Sequence, residues 1–472
     1  MQPLWTFSEL SAALGVKPEG GVDRPVAGVS IDTRTLQPGD LFVALKDQRD
    51  GHDFVSSAFE AGAAAALVVE SYRRQPKDGA LLRVPDTLRG LEALGRAARA
   101  RINPDARVVA VTGSAGKTGT KEMLRACLAH LGTTHASEKS YNNHWGVPLT
   151  LARMSRETRF SVFEIGMNHA GEIRPLTKMV RPHAAIVTTV EAVHLEYFPS
   201  VQAIADAKGE IFEGLVPGGT AVIKYDNPHA GRLTSIAKRF GAKPVTFGFS
   251  AGADVRGDDL KLGYDGSALT VRFGERRIPL QLAMPGRHIA ENALAVVAAI
   301  DAIGADVEKT LSVLANLQPP SGRGARSVLH IEGGEALLID ESYNANPASM
   351  RAALAALASV PRQKFSRRIA VLGDMLELGS DAPALHQGLK EAVEDAGIDL
   401  IFACGPHMKG LYDALPKSKK GGYAAASSSL PDALLSNLRR GDVIMVKASN
   451  GTRLGPVVAA LKAQFGNDGS VS

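Results

Sequence analysis

The residues best suited to chemistry lie in "VVAVTGSAGKTGTKEML", positions 108–124. Gly113 and Gly116 enclose Ser114 and Ala115, and Lys117 and Thr118 follow. The common phosphate loop, G-x-x-x-x-G-K-[ST], is two residues longer. Glycines let a backbone approach an anion without a Cβ in the way. N–H groups at a helix start lack intrahelical partners and carry the positive dipole end, so they bind phosphate oxygens. Thr112, Gly113, Ser114, Ala115, Gly116, Lys117 and Thr118 are therefore expected to cradle ATP. Lys117 would reach the β- and γ-phosphates, and the Thr118 hydroxyl would hold Mg²⁺. The bland alternative is a glycine turn with an incidental lysine. Position argues against it: a buried strand (108–112) precedes the loop and a helix (118–131) follows.

Other reactive side chains sit where strands end. Glu164 ends "RFSVFEIGM" and His194 follows "AAIVTTV". Open α/β sheets bind ligands at the carboxyl ends of their strands. A carboxylate and an imidazole there are candidate Mg²⁺ ligands. Imidazole is unusual for so hard an ion, and His194 taken alone reads as a structural histidine. Lys208 in "DAKGEIF" reads by itself as a surface lysine on a helix. His288 and Asn292 stand one helical turn apart. Arg323, in "GRGAR", can swing its guanidinium fork onto a terminal phosphate. Asp340 is expected to end the first strand of the last block and to hold ribose hydroxyls. Tyr343, Asn344 and Asn346 extend that loop, with the two amides expected to reach substrate. Lys121 and Glu122 read as ordinary helix surface.

These residues need a scaffold of three parts, and 472 residues suit about three domains. Residues 1–86 mix short strands with helices. Residues 87–319 alternate apolar, β-branched runs ("ARVVAVTG", "RFSVFEIGM", "AAIVTTV") with helical patterns. Such runs fit strands buried on both faces of a parallel sheet. "ALTVRFGERRIPLQLAM" alternates about Gly274 and predicts a hairpin. "LQPPSGRGARS" (317–327) marks a boundary. Residues 320–472 repeat the alternation in "ALLIDESY", "RRIAVLGDM", "DLIFACG" and "DVIMVKAS". The fold class is therefore α/β in three domains: a central P-loop ATPase-like, mostly parallel sheet and a C-terminal Rossmann-like domain between them account for most of the chain.

Composition excludes some functions. Lys and Arg total 54 against 49 Asp and Glu, a surplus of 5, with no basic run suited to a polyanion. Nucleic acid is not expected as a partner. Two cysteines argue against a disulfide framework and fit a reduced, cytoplasmic setting. The first residues show no leader pattern, and no apolar run reaches the ~20 residues of a membrane span. A monomer is expected.

The short loop, "TGSAGKT", resembles that of the Mur ligase family, the amino-acid-adding enzymes of peptidoglycan synthesis. "SYNNHWGVPLTL", "FEIGMNHAGEI", "VEAVHLEYF" with "AKGEIF", "GRHIAENALAVVAA" and "DESYNANPASM" agree with it in order along nearly the whole chain. "IDESYNANP" with "LGDMLELG" is most similar to the member that joins D-alanyl-D-alanine to UDP-N-acetylmuramoyl-tripeptide. The D-N-P-R segment usual in the sibling adding the third residue is missing. The resemblance implies ATP and two Mg²⁺ ions as cofactors, with Thr118, Glu164, His194 and Lys208 at the metals. Lys208 would carry a carbamate formed with CO₂, which turns a repelling ammonium into a carboxylate. Asn292 would contact the adenine side of ATP. Residues 1–86 would bind the UDP part, through Ser30, Thr33 and Arg34, with Asn142, Asn143 and Asn168 facing the sugar-peptide arm. Residues 320–472 would bind the incoming dipeptide. "VKASNG" has Ala448 where the family often has glycine.

The expected activity is ATP-dependent ligation through an acyl phosphate. Two alternatives stay open on the residues alone. One is a sibling ligase that adds a single amino acid, or a folylpolyglutamate-type synthetase with the same ATP core. The other is an ATP-driven switch without ligase activity. The 86-residue first block argues against the folate enzyme.

Overall fold

The computed structural model describes residues 3–466, save 23, 139 and 194. Each of its three sheets gathers one stretch of chain. The first holds β1 (Gly28–Ser30), β2 (Asp40–Val43), β3 (Ala65–Val69) and β4 (Ala80–Val84), parallel and in sequence order. The helix Thr87–Arg101 follows, capped by the Asp86 side chain accepting from Arg89 N–H. Its Leu91, Leu94 and Ala98 pack with Val29, Leu41 and Leu67 of this sheet and with Leu149 and Ala152 further along. One helix thus forms a wall common to the first two domains.

The second sheet carries the phosphate loop. Its nine strands are β5 (Arg107–Thr112), β6 (Thr134–Ala136), β7 (Phe160–Glu164), β8 (Ala184–Val187), β9 (Thr220–Lys224), β10 (Lys243–Gly248), β11 (Val255–Leu262), β12 (Ser267–Phe273) and β13 (Arg276–Leu282). They lie in the order β13-β12-β11-β10-β9-β8-β5-β7-β6. Six neighbouring pairs from β6 to β11 are parallel, and the β11–β12 and β12–β13 pairs are antiparallel, the latter forming the expected hairpin. β5 explains its own composition. Val109 and Val111 pack into one core while Val108 and Ala110 pack into another on the opposite face. A strand covered on both sides has no face left for polar residues.

The third sheet runs β14 (Ala325–Ile331), β15 (Gly334–Glu341), β19 (Asp442–Lys447), β16 (Arg367–Gly373), β17 (Leu400–Cys404) and β18 (Lys420–Ala424). Only the edge pair β14–β15 is antiparallel. Three expectations are corrected here. The boundary segment is shorter than 317–327, because β14 begins at Ala325. Asp340 consequently lies on the second strand of its domain. The helix after the phosphate loop is Lys117–Ala129, two residues shorter at its end than expected. No helix among the described residues is long and apolar enough to cross a membrane.

Candidate active site

Register brings the central groups together. β5 lies between β7 and β8, with Val111 opposite Glu164 on one side and Thr112 opposite Val187 on the other. Three strand ends therefore open at one point: the phosphate loop, Glu164, and Thr188 with Thr189. This is the crevice where an open sheet binds ligands.

The loop has the backbone its glycines suggest. Gly113 has φ +152° and Gly116 φ +82°. A Cβ at Gly113 would stand 1.9 Å from Thr188 Oγ1, and one at Gly116 2.7 Å from Asn292 Oδ1. Gly116 caps the helix Lys117–Ala129 with no side-chain hydrogen bond. The first N–H groups of that helix thus have no side-chain cap, as an anion site requires. Among the described residues, the buried Thr112 Oγ1 has no hydrogen-bond partner.

The loop's cation and hydroxyl are held at short range. Lys117 Nζ donates to Gly113 O at 2.7 Å. Burial lowers its pKa; Glu164 opposes this shift and the Arg323 charge adds to it. Thr118 Oγ1 donates to Glu164 Oε2 at 2.8 Å, and Asn142 Nδ2 donates to Glu164 Oε1 at 2.7 Å. Glu164 is almost wholly buried. Its N–H donates to Ser137 Oγ at 3.3 Å. Two hard oxygen donors on one centre fit Mg²⁺. No group of three or more His, Cys, Asp or Glu side chains suited to a metal occurs among the described residues. His194 lies outside the described residues.

Lys208 occupies the last turn of the helix Val201–Gly209 and is 2% exposed. Burial drives its pKa well below the ordinary value, and the Lys117 charge adds to the shift. A surface role for Lys208 is thereby excluded.

A cavity of about 280 Å³ runs from the loop to the third domain. Ala115, Gly116, Asn292 and Arg323 line it from the ATP set, with His288, Asn344 and Asn346. Asn292 is buried on the helix Arg287–Ala302. Burial lowers the pKa of His288. The Arg323 guanidinium lies 4.4 Å from the Tyr343 ring centroid. Lys447, 2% exposed, forms part of the far wall and donates to Glu341 Oε2 at 3.2 Å and Asn344 O at 3.0 Å.

Several expected contacts are spent on the protein itself. Asp340 is 2% exposed. Its carboxylate accepts from Gly322 N–H (2.9 Å), Ser342 N–H (3.1 Å) and Ser342 Oγ (2.6 Å). It anchors the Arg323 loop, while its neighbour Glu341 lines the cavity. Asn346 Oδ1 accepts from Ser349 N–H and caps the helix Pro347–Ala358. Asn344 Oδ1 accepts from Ala345 N–H, and Asn143 Oδ1 from Gly146 N–H. Asn142 serves Glu164 instead of facing open space. Asn168 is exposed, and its N–H donates to Glu172 Oε2. Ser30 Oγ donates to Asp32 O, and the exposed Arg34 pairs with Asp32 at 2.6 Å. Thr33 is half-buried on the same turn. That turn lies in the first domain, apart from the cavity beside the loop.

Lys121 and Glu122 overturn the helix-surface expectation. Lys121 is 1% exposed, and its Nζ donates to Ser137 O at 2.7 Å and pairs with Glu122 at 2.6 Å. Glu122 lines the cavity. One signal was available: Lys121 is one turn beyond Lys117, on the face toward the sheet.

Comparison with known proteins agrees along the chain. Residues 25–137 match the model of the Mur ligase family, catalytic domain. Residues 111–300 match the Mur ligase middle domain, and residues 326–450 the Mur ligase, glutamate ligase domain. The UDP-N-acetylmuramoyl-tripeptide–D-alanyl-D-alanine ligase of Escherichia coli is 38% identical over 97% of this chain and 98% of its own. That of Rickettsia prowazekii is 32% identical over 96% and 99%. A MurF crystal structure from Acinetobacter baumannii superposes with TM-score 0.84 at 28% identity, covering 97% of this chain and 99% of that one. The MurF ligase of Thermotoga maritima, crystallised with ADP, shares the fold at 24% identity and TM-score 0.77, covering 93% and 97%. The chain belongs to the Mur ligase family.

Proposed function

We propose that this chain is an ATP-dependent ligase that joins D-alanyl-D-alanine to UDP-N-acetylmuramoyl-tripeptide in peptidoglycan precursor synthesis. The observation that carries the reading is near-end-to-end similarity to ligases of that name, at 38% identity for the Escherichia coli relative. The geometry supports it. One cavity has the phosphate loop on one wall and the third domain on the other. A switch protein has no need of a second domain there.

The substrate carboxylate takes the γ-phosphoryl group of ATP, and ADP leaves. The dipeptide amine then attacks the acyl carbon. The C–N bond forms, the C–O bond to phosphate breaks, and the nitrogen loses a proton. Lys117 and the loop N–H groups hold the phosphates. Arg323 sets a second cation beside them. Thr118 and Glu164, with His194, would hold Mg²⁺, which when bound offsets the charge of two anions brought together. Burial keeps water from the acyl phosphate. Asn292 meets the nucleotide through the cavity wall.

Lys208 would carry a carbamate. Its burial and lowered pKa supply the neutral amine that reaction with CO₂ needs. Residues 1–86 would take the UDP part at the 30–34 turn, and residues 320–472 the dipeptide. Nucleotide substrates and two buried free thiols, Cys127 and Cys404, support a cytoplasmic site of action.

Phosphate release from ATP and Mg²⁺ tests the reading, with UDP-N-acetylmuramoyl-tripeptide and D-alanyl-D-alanine added singly and together. Release only with both is expected. Equal release without the dipeptide supports a switch instead, and release with a free amino acid in its place supports a sibling ligase.

A further inference from the structure

Tyr343 has no role in the reaction set out above, yet it touches three parts of the site. Its hydroxyl donates to Ser140 Oγ at 2.7 Å, across 203 positions of sequence. Its ring lies against the Arg323 guanidinium. Its N–H donates to Gly322 O at 3.1 Å. Gly322 has φ +76°, and a Cβ there would stand 2.8 Å from Tyr343 Cβ, so the two backbones are pressed together.

Both ends of this contact lead to reacting groups. Ser140 belongs to the 137–145 loop, which grips Glu164 and the backbone just after it at three points. Ser137 Oγ accepts from Glu164 N–H, Asn142 Nδ2 donates to its carboxylate, and Asn142 O accepts from Gly166 N–H at 2.8 Å. At the other end, Asp340 fixes Gly322, and Arg323 follows it into the cavity. A guanidinium on a long, flexible stem gains direction from an aromatic face beneath it.

We propose that Tyr343 is a positioning residue. Its hydroxyl fastens the third domain to the loop that holds Glu164, and its ring sets the Arg323 guanidinium beside Lys117. One side chain thus ties the arrival of the third domain to the completion of the phosphate site. The turnover consequences rest on the ligase reading; the fastening itself does not.

The test uses the full chain and two variants that remove the same hydrogen bond from opposite ends, Tyr343→Phe and Ser140→Ala. Trypsin cleavage after Arg323 under native conditions reports opening of the boundary segment. Each variant is expected to speed cleavage about threefold to tenfold, as one net hydrogen bond allows. The double variant should be no faster than either single, because both report one bond. Turnover should fall by a similar factor in Tyr343→Phe with KM for ATP unchanged, since the ring remains under Arg323. Tyr343→Leu should in addition raise KM for ATP toward that of Arg323→Ala. Unchanged cleavage in both single variants, or effects that multiply in the double variant, overturn the proposal. A wild-type chain with no ligase turnover sinks the ligase reading, and the cleavage cycle still decides the role of Tyr343.

Discussion

Thr118 Oγ1 and Glu164 Oε2 are 2.8 Å apart although 46 positions separate them in sequence. Sheet register brings about the meeting, since Val111 pairs with Glu164 one step before the loop begins. Glu164→Gln keeps the shape and removes the charge. The half-saturating Mg²⁺ concentration for ATP turnover is expected to rise by on the order of tenfold or more. ADP affinity without metal should hardly change. A Mg²⁺ titration with the same midpoint in both proteins would refute a metal role for Glu164.

Much of this meeting is legible in the sequence. Strands β5, β7 and β8 are mostly apolar because both faces are covered, and the glycine spacing signals a helix start that binds phosphate. What the sequence hides is where side chains on polar segments point. β6 is three half-buried residues, too short for a pattern, yet it leads into Ser137 and the loop around Glu164. β11, "VRGDDLKL", mixes acids with partly buried positions and shows no apolar run. Asp340 stands at a strand end, where ligand contact is the default expectation, but its backbone partners are set by the neighbouring turn. Asn142, Asn143 and Asn346 are loop amides whose partners depend on the folded turn rather than on residue type.

Lys121 shows the energetic side of the same gap. It places a charge on the carbonyl of Ser137, beneath the Glu164 carboxylate, with Glu122 as counter-ion. Lys121→Met removes the donor and leaves the carbonyl and Glu122 without it. A loss of about 3 kcal/mol in unfolding free energy is expected. Urea unfolding measures it. A cost below about 0.5 kcal/mol, typical of a surface change, would return Lys121 to the helix surface.

Lys208 makes a pH prediction. Burial penalises its ammonium in the folded chain and not in the unfolded one. Between the lowered folded pKa and the ordinary value near 10.4, the unfolded state binds the extra proton. Stability due to this group therefore rises with pH across that window. In CO₂-free, metal-free buffer, Lys208→Met should be more stable than wild type at about pH 7, and the gap should shrink toward about pH 10. Urea midpoints for both proteins at the two pH values check this. A constant gap means the ammonium is well solvated. A second variant addresses the carbamate: Lys208→Ala should lose turnover and regain part of it with a small added carboxylate.

Asp340 separates two readings of one carboxylate. If it held ribose hydroxyls, wild type would favour ATP over 2′-deoxy-ATP and Asp340→Asn would lose that preference. The hydrogen bonds say otherwise, for Gly322 N–H and both donors of Ser342 already occupy it. An amide can accept only at its oxygen, so the variant leaves one of these donors poorly matched inside the protein. The Arg323 loop should loosen, and KM should rise about tenfold for both nucleotides alike. Steady-state kinetics with the two nucleotides on wild type and Asp340→Asn give the answer. Loss of discrimination in the variant alone would restore Asp340 to the ribose and leave the Arg323 loop without its anchor.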